Sequence, residues 1–176
     1  WNVVFVLVNL YHISVIIYEK RPVNMESKDK ELYETLFKDL SPVEYLKISK
    51  VAEWKTYKKN QSLIIQGMPV EDLILIYNGT VNVIVDGKGV AHLKDGEFVG
   101  EMSFLTDKPA TATCKVEHDT ECLVWKQPEF KELLKRNPSL YYTIQSLLSG
   151  QLVGYSTKKW IIDIYIWWIK DMPSKK

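Results

Sequence analysis

The chain reads as a mainly β protein, an antiparallel sandwich or barrel with helices on both sides. Three observations predict this. Between residues 53 and 126 turn signals recur every 8 to 12 residues, and six of the eight glycines (67, 79, 87, 89, 96 and 100) fall at the ends of short apolar runs. On either side of that stretch the apolar residues recur at helical spacing instead. The first 18 residues, Trp1 to Tyr18, are almost continuously apolar, with Asn2, Asn9, His12 and Ser14 as the polar exceptions.

The elements follow in order. As a helix, Trp1 to Tyr18 spans about 27 Å, close to a bilayer core. Glu19-Lys20-Arg21-Pro22 follows it. No basic leader or small-residue cleavage site marks a secretory signal. The chain opens at Trp and reads as a piece of something longer. Residues 1–21 are therefore expected to be the end of a transmembrane helix, with Lys20 and Arg21 holding the rest on the cytoplasmic side. The alternative is a helix buried against a partner. Residues 22–52 form a linker and two helices. Leu32, Tyr33, Leu36, Phe37 and Leu40 recur at helical spacing, and Ser41-Pro42-Val43-Glu44 is a capping box with proline at the first helical position.

Residues 53–126 carry the strands: Trp54 to Lys58, Ser62 to Ile65, Leu73 to Tyr77, Thr80 to Val85, Val90 to Leu93, Ala112 to Val116 and Glu121 to Lys126. Asn78-Gly79, Asp86-Gly87-Lys88-Gly89 and Asp95-Gly96 turn between them. Helices return over 127–154, opened by Pro128 and by Asn137-Pro138, with Leu140, Tyr141, Ile144, Leu147, Leu148 and Leu152 on one face. The last segment, 155–176, holds the apolar run Ile161 to Ile169 behind Lys158-Lys159-Trp160. It suits a membrane interface, or a helix packed on the β domain or on a partner subunit.

One stretch carries chemistry. Gly96-Glu97-Phe98-Val99-Gly100-Glu101-Met102-Ser103-Phe104-Leu105 runs into Pro109-Ala110-Thr111-Ala112-Thr113. It reads as a strand end, a Gly-Glu corner, a short helical turn and a small-residue return to a strand. Glycine lets backbone approach a ligand closely, and the first N–H groups of a helical turn point outward. Glu101 can accept from a sugar hydroxyl, or cap local N–H groups instead. The stretch resembles the phosphate-binding cassette of cyclic-nucleotide-binding domains, and Gly67, Gly79, Gly96 and Gly100 resemble the glycine framework of that family's jelly roll. The resemblance covers about Glu31 to Val153. It implies an eight-stranded antiparallel jelly-roll barrel, here preceded by a membrane helix. It also implies a ligand, cAMP or cGMP, held by Gly100, Glu101, Met102, Ser103, Ala110, Thr111 and Ala112.

At one position the chain departs from the family's pattern. Where the family places its phosphate-pairing arginine, this chain has Ala110. A charge-assisted hydrogen bond contributes roughly 1.5–3 kcal/mol, so its loss weakens binding by about ten- to a hundredfold. Lys108 is near in sequence, but a flexible ammonium replaces a fixed guanidinium poorly. A narrower resemblance, carried by Trp1, Phe5, Asn9, Arg21-Pro22-Val23, Leu32-Tyr33, Phe37, Leu40 and Val43-Glu44-Tyr45-Leu46, is to Popeye-domain proteins. These are three-span membrane proteins with a cytoplasmic domain of the same kind. Their Asp-Ser-Pro-Glu and Phe-Gln-Val-Thr motifs are replaced by Gly100-Glu101-Met102-Ser103 and Thr111-Ala112-Thr113-Cys114.

The function expected is a cytoplasmic, membrane-tethered sensor with weakened or lost nucleotide binding. The alternative is a degenerate domain used for protein interaction or homo-oligomerisation. Net charge is +1, which gives no pull toward nucleic acid. His12, His92 and His118 are isolated and show no His-x-His metal pattern. Neither a Ser/His/Asp nor a Cys/His arrangement appears. No enzyme, metal or cofactor is expected. Cys114 and Cys122 read as free buried thiols, or as a pair across a hairpin.

Overall fold

A computed structural model describes residues 2–19 and 25–154. The expectations for Lys20, Arg21 and the segment 155–176 lie outside the described residues.

Helix α1 (Asn2–Glu19) comes first, then α2 (Ser27–Thr35) and α3 (Pro42–Ser49). The capping box forms: Ser41 Oγ accepts from the Glu44 N–H, and the Glu44 carboxylate accepts from the Ser41 N–H at 2.9 Å. Strands β1 (Ala52–Tyr57), β2 (Ser62–Ile64), β3 (Asp72–Asn78), β4 (Val81–Val85), β5 (Lys88–Leu93) and β6 (Phe98–Val99) follow. The short helix α4 (Glu101–Thr106) precedes β7 (Thr113–Val116) and β8 (Thr120–Lys126), and α5 (Gln127–Lys135) and α6 (Pro138–Gly154) complete the described chain. The β4–β5 turn places Asp86 and Gly87 at φ 50° and 79°, as a tight hairpin of this hand requires.

Two expectations are corrected. The strands do not close a barrel. They form two antiparallel four-stranded sheets, in the orders β1-β8-β3-β6 and β2-β7-β4-β5. No described ladder joins the edge strands of one sheet to those of the other, and β6 is only two residues long, too short to bridge them. The fold is a β-sandwich with flanking helices. The membrane helix is the second correction. Among the described residues no helix is long and apolar enough to cross a membrane. Helix α1 has 18 residues, about 27 Å, against a hydrocarbon core of about 30 Å, and its middle carries Asn9, His12 and Ser14. Its apolar side chains are exposed, Val3 and Phe5 each at 71%. The membrane attachment and localisation that rested on this helix lose that support.

Alternation along the strands divides the interior in two. Leu73 and Leu75 of β3 point to one side, Ile74 and Ile76 to the other. Between the sheets lies an aliphatic core of Ile74, Ile76, Val81, Val83, Val99, Val116 and Val124, with Cys114 and Cys122. Outside the first sheet lies a second core, in which Leu75, Leu123 and Trp125 meet Tyr45, Ile48, Phe104, Phe130 and Ile144 from the helices and Phe37 from the loop after α2. Trp125 anchors it. Its ring stacks on Phe130 at 5.4 Å between centroids, and its Nε1 donates to the Ile48 carbonyl at 2.8 Å, fixing α3 to β8.

Candidate functional site

The Gly-Glu corner is built where the two cores meet. Phe98 of β6 packs into the helix–sheet core and Val99 into the inter-sheet core. Gly100 then turns the chain with φ +90°. A Cβ there would lie 2.8 Å from the Asp72 carbonyl oxygen and 3.1 Å from Val70 Cγ1. Only glycine combines that conformation with that approach. Helix α4 starts at once, its Phe104 N–H donating to the Gly100 carbonyl at 2.9 Å. It ends at Asp107, again left-handed at φ 57°, whose N–H donates to the Ser103 carbonyl at 2.8 Å. Lys131 of α5 holds that end by an ion pair to Asp107, with its ammonium 5.1 Å from the Phe104 ring centroid. The same lysine holds the Asp107 carboxyl below the usual carboxylate range.

All seven residues singled out in the sequence (Gly100, Glu101, Met102, Ser103, Ala110, Thr111 and Ala112) line one cavity. Glu101 and Ala110 are buried, at 7% and 6% exposure, and Ser103 is buried with them. The cavity volume is about 40 Å³. Among the described residues that line it, Glu101 is the one carboxylate, and there is no lysine or arginine. Lys108 is exposed on the turn after α4 and is not part of the wall.

The loop after α4 is tied down by backbone. The Ala110 N–H donates to the Met68 carbonyl at 2.9 Å, and the Gly67 N–H donates to the Ala110 carbonyl at 2.8 Å. The Ala110 N–H is thus already used, and does not face the cavity as an anion donor. Thr113 Oγ1 likewise accepts from the Gln66 N–H at 3.0 Å. The cavity wall also carries the first turn of α4, with Glu101 and Ser103, and Thr111 beyond it.

The sequence reading missed the rest of the wall. Ile64, Val70, Val83 and Leu93 complete the cavity from elsewhere in the chain, with Val99 and Cys114 from the ends of the cassette itself. The signal available for Val83 and Cys114 was the alternation of their strands, which turns both inward. A larger cavity, about 810 Å³, is a groove between Thr35–Leu40 and α6, and it contains none of the seven residues. The seven residues thus lie together at the smaller cavity and not at the larger one.

Other reactive groups are spread apart. Cys114 and Cys122 are buried and not joined in a disulfide, and burial, followed by the Glu121 charge, pushes the Cys122 thiol up to about 12. His92 Nδ1 lies 3.1 Å from Glu117 Oε1 on an exposed strand surface. Among the described residues no group of three or more His, Cys, Asp or Glu could hold a metal ion.

Residues 54–137 match the family model described as the cyclic nucleotide-binding domain. The chain is 26% identical over 144 residues to lysophospholipase nte1 of Neurospora crassa, covering 79% of this chain and 9% of that protein. It is 24% identical over 162 residues to Popeye domain-containing protein 1 of Xenopus tropicalis, covering 86% of this chain and 48% of that one. The chain thus spans less than half the length of either relative. Among solved structures, a cyclic nucleotide-binding domain from Methylobacillus flagellatus KT superposes with a TM-score of 0.64 at 25% identity, covering 88% of this chain and 92% of that one.

Proposed function

Residues 54–137 belong to the cyclic nucleotide-binding domain family, and on that premise we propose that the chain is a non-catalytic regulatory module whose cassette has weak affinity for cAMP or cGMP. One observation carries this reading: the cassette cavity contains Glu101 and, at the place of a phosphate-pairing arginine, the buried Ala110. A cyclic phosphate in a recess needs a counter-charge as well as hydrogen bonds. Among the described residues, no lysine or arginine lines this cavity to supply it. Glu101 retains the chemistry to accept from a ribose hydroxyl, so the sugar half of the site is kept while the phosphate half is lost.

A second reading is favoured by the cavity's volume. Pockets for small ligands run to about 300–1,000 Å³, whereas this one holds about 40 Å³. On that reading the domain binds no nucleotide and serves protein interaction or oligomerisation. Calorimetric titration of the protein and of Ala110→Arg with cAMP and cGMP separates the two. The weak-binding reading expects a detectable, low affinity that tightens at least tenfold in the arginine variant. Tight binding by the unchanged protein would refute the role of Ala110. No heat from either protein would favour the ligand-free reading.

A further inference from the structure

The outer surface of the first sheet carries a cluster that the cassette does not use. Trp54 of β1 and Tyr77 of β3 stand edge to face there, with ring centroids 5.1 Å apart and planes at 82°. Lys28, from the first turn of α2, reaches between them. Its Nζ lies 5.2 Å from the Trp54 centroid and 5.7 Å from the Tyr77 centroid, and it pairs with the Glu121 carboxylate of β8. One turn further along α2, Glu31 accepts from the Tyr77 hydroxyl at 2.7 Å and fixes that ring. The Lys28 side chain is 45% exposed, so the cluster opens to solvent.

Two ring faces at right angles, with a carboxylate at the third side, are the arrangement that recognises an ammonium group. Each ring presents its negative face to the cation, and the carboxylate supplies the counter-charge. We infer that Trp54, Tyr77 and Glu121 form a binding site for an alkylammonium cation, and that Lys28 occupies it as an internal ligand. A cation from outside competes with Lys28 for the same two rings and releases the start of α2 when it wins. Lys28 is presented by a helix docked beside the cage, so its effective concentration is on the order of millimolar or higher. The unaltered chain therefore takes an outside cation only at high concentration. The inference is independent of what the cassette binds.

The test uses the full chain, with tetramethylammonium chloride against sodium chloride at equal ionic strength. The indole N–H signal of Trp54, assigned through Trp54→Phe, is the readout. Lys28→Ala, which empties the cage, should respond at tenfold or more lower tetramethylammonium than the unaltered chain. Lys28→Met, which leaves an uncharged stem over the rings, should not gain. Adding Trp54→Leu to Lys28→Ala should abolish the response. No gain in Lys28→Ala, or a response that survives Trp54→Leu, overturns the site. Should Lys28→Ala fail to fold, the unaltered chain still decides the matter. Tetramethylammonium at saturation should raise the acetylation rate of Lys28 several-fold and leave Lys30, which faces Glu34 in solvent, unchanged. An unchanged rate at Lys28 overturns the proposal.

Discussion

The core between the sheets and the core between sheet and helices are built differently. The first is nearly all aliphatic, supplied by strands that hydrogen-bond to one another within each sheet. The second is rich in aromatics and joins one sheet face to five separate helices. β-branched side chains are stiff at χ1 and interlock across facing pleats. Large rings with polar edges, such as Trp125 and Tyr45, can reach a backbone or carboxylate partner and hold a helix at a set angle. The lesson is one of division. The inter-sheet core makes a frame, and the aromatic core attaches the helices to it, α4 of the cassette among them.

That division predicts unequal consequences of substitution. Trp125→Ala should have the largest effect, roughly 3–5 kcal/mol of stability, as for other buried aromatic truncations. It also orphans the Ile48 carbonyl. Hydrogen exchange should show α3 and α5 losing protection well before β4 and β7. Uniform loss across all four elements would collapse the two cores into one unit. Gly100→Ala comes next. Its φ of +90° and the 2.8 Å approach to the Asp72 carbonyl oxygen should cost about 2 kcal/mol, read by denaturant unfolding. A neutral result would mean that the corner between the cores is loose.

The smallest effect concerns Tyr45, fully buried, its hydroxyl donating to Asp29 Oδ1 at 2.8 Å. Burial, then the Asp29 bond and charge, raise its pKa far above the usual phenol value. The fold thus favours the neutral phenol. The stability this contributes is complete below about pH 10, the unfolded value, and is lost as pH rises beyond it. Tyr45→Phe should cost about 1 kcal/mol at pH 7. Its deficit should shrink as pH rises from 10 to 11, measured by equilibrium unfolding. A deficit that stays constant would show that the phenol is not held neutral by this core.

Short-range chemistry was legible in the sequence. Ser41 and Glu44 cap each other as their spacing indicated, and Asp86-Gly87 makes its hairpin turn, because both depend on neighbours within four residues. The seven cassette residues could be grouped because one glycine corner and one return strand bring them to a single cavity. Contacts between distant stretches were not legible. Nothing in the chain around Ala110 shows that Met68 takes its N–H. Lys28 and Glu121 are 93 residues apart, and no periodicity joins them. The closed barrel failed for a similar reason. Alternation tells which way a side chain points, but an open pair of sheets and a closed one alternate alike. The membrane helix failed because α1 is only 18 residues long and Asn9 and His12 interrupt its apolar run.

Strand β3 has one more consequence, for how the chain finds its fold. Most strands with one wet face are locked in register, because a slip of one residue would turn their apolar side chains to water. Here Leu73, Ile74, Leu75 and Ile76 are apolar and buried on both faces, so a slipped β3 would still bury every one of them. The proofreading must come from its ends. At one end Asp72 sits opposite Lys126 of β8, with the ion pair at 2.8 Å. At the other, Tyr77 meets Glu31, and a register irregularity intervenes before Asn78 pairs with Glu121. The middle of β3 supplies adhesion without information, and a few polar atoms at its tips decide which of two equally greasy alignments is native.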